Sequence, residues 1–147
     1  MARQSRGARV YAIIVLVVGA VFIVAGVVTW FVVRDQLSNE KITVSKDADF
    51  LAGKPVKGPF TAYAQAQVIN KHALEATNGK TYAELSQDDP LRQTAMSASF
   101  LRASLFTSVV AFGVAFMAVG LGVTLILVAL ALMSVAKASV RETVPTG

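Results

Sequence analysis

The chain has 147 residues, 54% of them hydrophobic and only 16% charged. Its mean hydropathy is +0.58, too apolar for an ordinary soluble domain of this size. It contains no cysteine, which excludes disulfides, thiolate metal sites, iron–sulfur clusters and cysteine catalysis within this chain.

In chain order, residues 1–9 carry Arg3, Arg6 and Arg9 among small residues and read as a basic cytoplasmic tail, disordered up to the membrane. Val10 to Val33 follows without one charge and with 16 Val, Ile, Leu or Phe side chains, longer than the ~20 residues that cross a bilayer. A cleaved signal peptide is the competing reading of a basic stretch before an apolar run. An apolar signal region spans only ~7–15 residues, however, and this run continues past Ala20 and Ala25. Tyr11 and Trp30 lie near its two ends, as interface anchors do.

Residues 34–102 form a polar loop. Lys41 to Ser45 alternates apolar and polar residues, the pattern of a short strand, and two Gly and two Pro between Gly53 and Pro59 break regular structure. Thr61 to Thr77 predicts an amphipathic helix with Phe60, Ala64, Val68 and Ala73 or Leu74 on one side, stopped by Asn78-Gly79. Thr81 with Glu84 makes a capping box for a second short helix whose apolar contacts are Tyr82 and Leu85. Asp89-Pro90 predicts the start of a third helix, which runs without interruption into a second uncharged block, Ala103 to Ala136.

The fold class that follows is an all-α membrane protein: a two-helix transmembrane hairpin carrying a small, mainly helical extracytoplasmic loop domain. Arginines crowd the first nine residues, and Lys137 and Arg141 follow the second span. The nine Lys and Arg of the loop are spread over 69 residues and offset by eight acids, so both termini, residues 1–9 and 137–147, are expected in the cytoplasm of a plasma-membrane protein. The net charge of +5 belongs to this topology and to anionic lipid rather than to nucleic acid. Gly19 and Gly26 in the first span, at heptad spacing with Ala12, and Gly113 and Gly120 in the second are expected to form the helix-packing faces, with Ala118 and Gly122 as a further small pair.

Catalytic chemistry is sparse. His72 is the single histidine, placed near Glu75 on the predicted helix, and a facial iron triad needs two histidines and a carboxylate. Ser45, Asp47 and Asp49 lack the glycine and terminal glutamate of a calcium loop. Asp88 and Asp89 are accounted for by solvation and helix capping, and no phosphate loop or dinucleotide fingerprint occurs. No catalytic, cofactor-binding or metal residue is assigned. Phe60, Tyr63, His72 and Tyr82 are the candidate partner contacts, although aromatics such as Phe60, Tyr63 and Tyr82 more often make the loop's own small core.

Four segments, Gly58-Pro59-Phe60-Thr61-Ala62-Tyr63-Ala64-Gln65, His72-Ala73-Leu74-Glu75-Ala76, Gly79 to Leu85 and Ser99 to Val110, resemble a family of short two-span actinobacterial membrane proteins that carries the label aromatic ring-opening dioxygenase. The label implies an iron enzyme, which this chain could be only with ligands from another chain. The residues favour a non-enzymatic membrane protein, an accessory subunit or cell-envelope component in a lipid bilayer, whose loop binds a protein partner or a second copy. The alternative is a membrane-bound oxidoreductase completed by a second chain.

Overall fold

The computed structural model describes residues 2–141, with side-chain surroundings from 7 to 137. Arg3, Arg6 and Arg141, which carry part of the expected charge asymmetry, lie outside the described side chains, and residues 142–147 lie outside the described residues altogether. Three α-helices and one 3-10 turn follow in order: α1, Ala2–Asn39; α2, Pro59–Ala76; the turn Tyr82–Glu84; and α3, Arg92–Arg141. Helices α1 and α3 are each long and apolar enough to cross a membrane. The disorder expected before Val10 is replaced by helix from Ala2 onward: Ala, Arg and Gln are good helix formers, and a helix already nucleated by the apolar run extends into them at little cost.

The chain divides into two compact units, one made of the residues up to Val28 and from Val114 onward, the other of Thr29–Gly113. In the first, α1 and α3 run antiparallel with small residues at the seam. A Cβ placed on Gly26 would lie 2.6 Å from the Ala115 carbonyl oxygen, one on Gly19 2.8 Å from that of Gly122, and one on Gly122 2.6 Å from that of Gly19. Ala12, Ala115 and Ala129 are fully buried there.

On α3 the seam therefore runs through Ala115, Val119, Gly122, Ile126 and Ala129, the alternating four- and three-residue spacing of helices in close register. Gly19 and Gly26 are helix-packing residues as expected. Gly113 and Gly120 are not, since a Cβ on either would meet nothing within 4 Å. At 100° per residue, two positions away from Ala115 and Gly122 is most of half a turn around the helix, so the heptad read through 113 and 120 lies on the outward face.

The second unit has a core of Leu37, Val44, Val56, Ala62, Ala64, Ala66, Leu105 and Phe112, with Trp30, Val33, Phe106 and Val109 packed against it. Helix α2 buries Ala62, Ala64, Ala66 and Val68. That spacing covers more than one stripe, because α2 is enclosed by neighbours on two sides and its alanines admit them closely. Phe60, expected on this face, instead stands 75% exposed. In the loop before α2, the strand expected over Lys41–Ser45 is reduced to one antiparallel bridge, Thr43 with Pro55. It is flanked by the bonds from the Val44 amide to Lys54 and from the Val56 amide to Ile42.

The helix ends follow local chemistry. At the close of α2, Asn78 and Gly79 have φ of 55° and 80°, and the Gly79 amide reaches back to the Leu74 carbonyl at 2.7 Å, the left-handed termination that Asn-Gly predicts. The segment at Thr81 makes a three-residue 3-10 turn rather than an α-helix. Before α3, the Asp89 carboxylate accepts the Leu91 amide at 2.9 Å. Residues 90–91 form the turn that leads into regular helix at Arg92, slightly later than the proline suggested.

We expect Gly26→Ala to destabilise the helix pair in detergent or bilayer by roughly 1–3 kcal/mol, because a backbone carbonyl blocks its Cβ. Gly120→Ala, into open space, should leave stability unchanged or raise it by up to about 1 kcal/mol. Equal effects of the two, read by denaturant or thermal unfolding of the full chain, would contradict the seam described.

Candidate functional site

The four candidate partner contacts do not converge. Phe60 occupies the first turn of α2, and His72 lies 12 residues on, about 18 Å along the helix. Tyr63 is held between Phe50, at a ring separation of 6.2 Å, and Phe106, edge-on at 5.9 Å, and its hydroxyl accepts a hydrogen bond from the Gln67 amide at 2.8 Å. Tyr82 is covered by the guanidinium of Arg92, 4.1 Å above its ring, and that guanidinium also donates to the Leu85 carbonyl. Tyr63 and Tyr82 thus serve the unit's own packing. Only Phe60 presents most of its ring to the outside.

His72 is not paired with Glu75. Its Nε2 is 2.7 Å from the Asp47 carboxylate, which also faces the Lys71 ammonium at 3.8 Å. The hydrogen bond from His72 is the main cause that lowers the Asp47 pKa below its ordinary 3.8. All three side chains are exposed, so water screens the group and little stability rests on it. As a metal centre the pair is incomplete. Among the described residues no three His, Cys, Asp or Glu side chains are grouped to hold an ion, and a ring-opening iron site needs a second histidine beside His72 and Asp47. The donors of this chain alone do not fit that metal.

Two of the concavities among the described residues lie in this unit. One, about 70 Å³, lies beside the C-terminal half of α2 and is lined by Asn70, Lys80, Tyr82, Ser99 and Arg102 among others. Ser99 already donates to the Ala95 carbonyl at 2.8 Å, and neither a carboxylate nor a histidine is among the residues that line this space. The other is an open groove of about 540 Å³ bordered by Arg34, Phe50, Leu51, Lys57 and Phe60.

Phe50 and Leu51, together with Phe100 and Leu101 on α3, are exposed large apolar residues that hydropathy and periodicity do not single out. Each is an adjacent apolar pair in polar surroundings, which is a visible signal. Nothing in their spacing says whether such a pair points inward or outward.

The Glu84 carboxylate accepts both the amide and the hydroxyl of Thr81 at 2.8 Å. Those bonds favour its ionised form and lower its pKa from the ordinary 4.5. No family model, curated protein or solved structure matches the chain.

Because the folded-state pKa of Glu84 is depressed, its contribution is present above pH 4.5 and fades as pH falls through the lower folded value. NMR titration should find Glu84 protonating below that ordinary value, and Thr81→Ala should move it back upward. A Glu84 pKa unmoved by Thr81→Ala would rule out the Thr81 hydroxyl as a cause and leave the depression to the Thr81 amide, which alanine retains.

Proposed function

We propose that the chain is a two-span integral membrane protein with both termini in the cytoplasm, and that residues 29–113 form an extracytoplasmic domain which binds a protein partner rather than catalysing a reaction. The lengths support this. Val10 to Val28 is 19 residues, about 28 Å of helix, and Val114 to Ala136 is 23, about 34 Å. Both match a hydrocarbon layer of ~30 Å. Of the remaining apolar residues of the two helices, Trp30, Val33, Leu105, Phe106, Val109 and Phe112 pack in the domain, while Phe31, Val32 and Val110 stay exposed.

The observation that carries the binding reading is the pair Phe100 and Leu101, 67% and 55% exposed. They lie 13 and 12 residues before Gly113, about 18–20 Å along α3, whereas the headgroup layer is only ~5–8 Å thick. With hydrocarbon ending at Gly113, they stand beyond the lipid. Their neighbours on the same face, Gln93, Ser97 and Ser104, are exposed and polar. An apolar pair in a polar rim is the ordinary anatomy of a contact with another protein, either a different chain or a second copy.

Crosslinking mass spectrometry on native membranes, with lysine-reactive reagents at Lys71 and Lys80 and a photo-crosslinker at Ser97, should return one reproducible partner. Phe100→Ser with Leu101→Ser should reduce its yield at least several-fold without changing expression. A partner yield indifferent to that double change would refute the site. Because the chain lacks cysteine, the topology has its own check: an impermeant maleimide on intact cells should label Ser97→Cys and spare Ser5→Cys.

A further inference from the structure

We propose that the loop around residues 50–60 enters the headgroup layer of the outer leaflet, and that the groove bordered by Arg34, Lys57, Phe50, Leu51 and Phe60 binds an anionic phospholipid. The inference rests on the two-span topology proposed for the chain. Four observations lead to it.

The first is the level of the groove. Arg34 is five residues beyond Thr29 on α1, about 7.5 Å along the helix. If hydrocarbon ends near Thr29, that distance falls within the ~5–8 Å of headgroups on each side of a bilayer. The groove shares this level because Arg34 is one of its walls.

The second is charge. The residues bordering the groove include two cations and no carboxylate. Neither Arg34 nor Lys57 has an ion pair among the described residues, where the carboxylate of Asp47 takes both of the pairings formed. Asp35, next to Arg34 in sequence, accepts from the Asn39 side chain at 3.2 Å. A phosphodiester is the monoanion that a guanidinium and an ammonium at a membrane surface recognise.

The third is the apolar floor. Phe60, Phe50 and Leu51 are 75%, 42% and 38% exposed, an arrangement that water penalises and that the boundary between headgroups and acyl chains favours. A volume of about 540 Å³ is in the range of small-molecule sites, enough for a glycerol backbone and the upper part of one acyl chain.

The fourth is backbone strain. Leu51 is held at φ 57°, a left-handed conformation that a branched apolar residue adopts only when its surroundings impose it. The turn from Phe50 to Gly53 thereby carries Leu51 to the border of the groove.

Depth can be read at Ala52, an exposed residue beside the groove. Ala52→Cys carries a nitroxide in the full chain, reconstituted in vesicles of phosphatidylcholine with or without phosphatidylglycerol. Accessibility to oxygen is compared with accessibility to a water-soluble nickel chelate, with labels at Val21→Cys and Phe100→Cys as references for lipid and water. The Ala52 label should be shielded from nickel relative to Phe100, and more so with phosphatidylglycerol. Arg34→Gln and Lys57→Gln should each reduce the preference for phosphatidylglycerol over phosphatidylcholine, measured as lipid retained in native mass spectrometry, by about fivefold.

An Ala52 label as open to nickel as Phe100 in both lipids overturns the proposal, and so does a phosphatidylglycerol preference unchanged in the Arg34→Gln, Lys57→Gln chain. Shielding seen only in native membranes and never in vesicles assigns the groove to a protein and also overturns it. In each of these cases a lipid-exposed Val21 label leaves the two-span topology standing. A Val21 label open to nickel removes both.

Discussion

The edge-to-face contact between Trp30 of α1 and Phe112 of α3, with ring centroids 4.7 Å apart, is the point from which the domain over Thr29–Gly113 is built. The segment between the two uncharged runs is small, holds no disulfide, and on its own would bury too little surface to be stable. The long helices supply what it lacks. Leu37, Leu105 and Phe112 from their ends join Val44, Val56 and three alanines of α2 in one core, so the loop folds onto a scaffold that already exists instead of making a centre of its own.

Close approach of backbones is the second device, and it appears in both units under different driving forces. In the domain, Ala62, Ala64 and Ala66 let α2 lie tightly among its neighbours, with stability supplied by removing apolar surface from water. In the helix pair, Gly19 and Gly122 bring each carbonyl against the other glycine. Where the solvent is lipid, expelling it gains little, and packing contact is what associates the helices. Ala12, Ala115 and Ala129 are buried along the same seam.

The polar side chains are largely committed to shaping turns. Thr61 accepts the Lys57 and Gly58 amides, Glu84 serves Thr81, Asp89 serves Leu91, Gln65 takes the Ser45 amide, and buried Thr77 donates to the carbonyls of Ala73, in the last turn of α2, and of Lys80, beyond it. The exposed group of Asp47, His72 and Lys71 is the exception, a surface cluster with one histidine. The exposed large apolar residues of the domain include Phe60 beside its groove and Phe100 and Leu101 on α3.

The sequence by itself determined the two long helices, the helix stop at Asn78-Gly79, the Thr81–Glu84 cap and the lead-in at Asp89, because each is dictated by hydropathy over a window or by neighbours within four residues. It also marked Gly19 and Gly26, whose heptad with Ala12 points to a single helix face. Only the tertiary structure decided which glycines of α3 meet them: 113–120 and 115–122–129 are both small heptads, and rotation of α3 about its axis is fixed by the sum of contacts along its length.

The same holds for Phe60 turning outward while Ala62 turned in, and for Asp47 choosing His72 across 25 positions. It holds too for the surplus of the 34-residue run from Ala103 to Ala136 entering the core of the domain. Composition distinguishes apolar from polar, but a membrane, a protein interior and a partner's surface all accept the same apolar side chain, and only the packing around it distinguishes them.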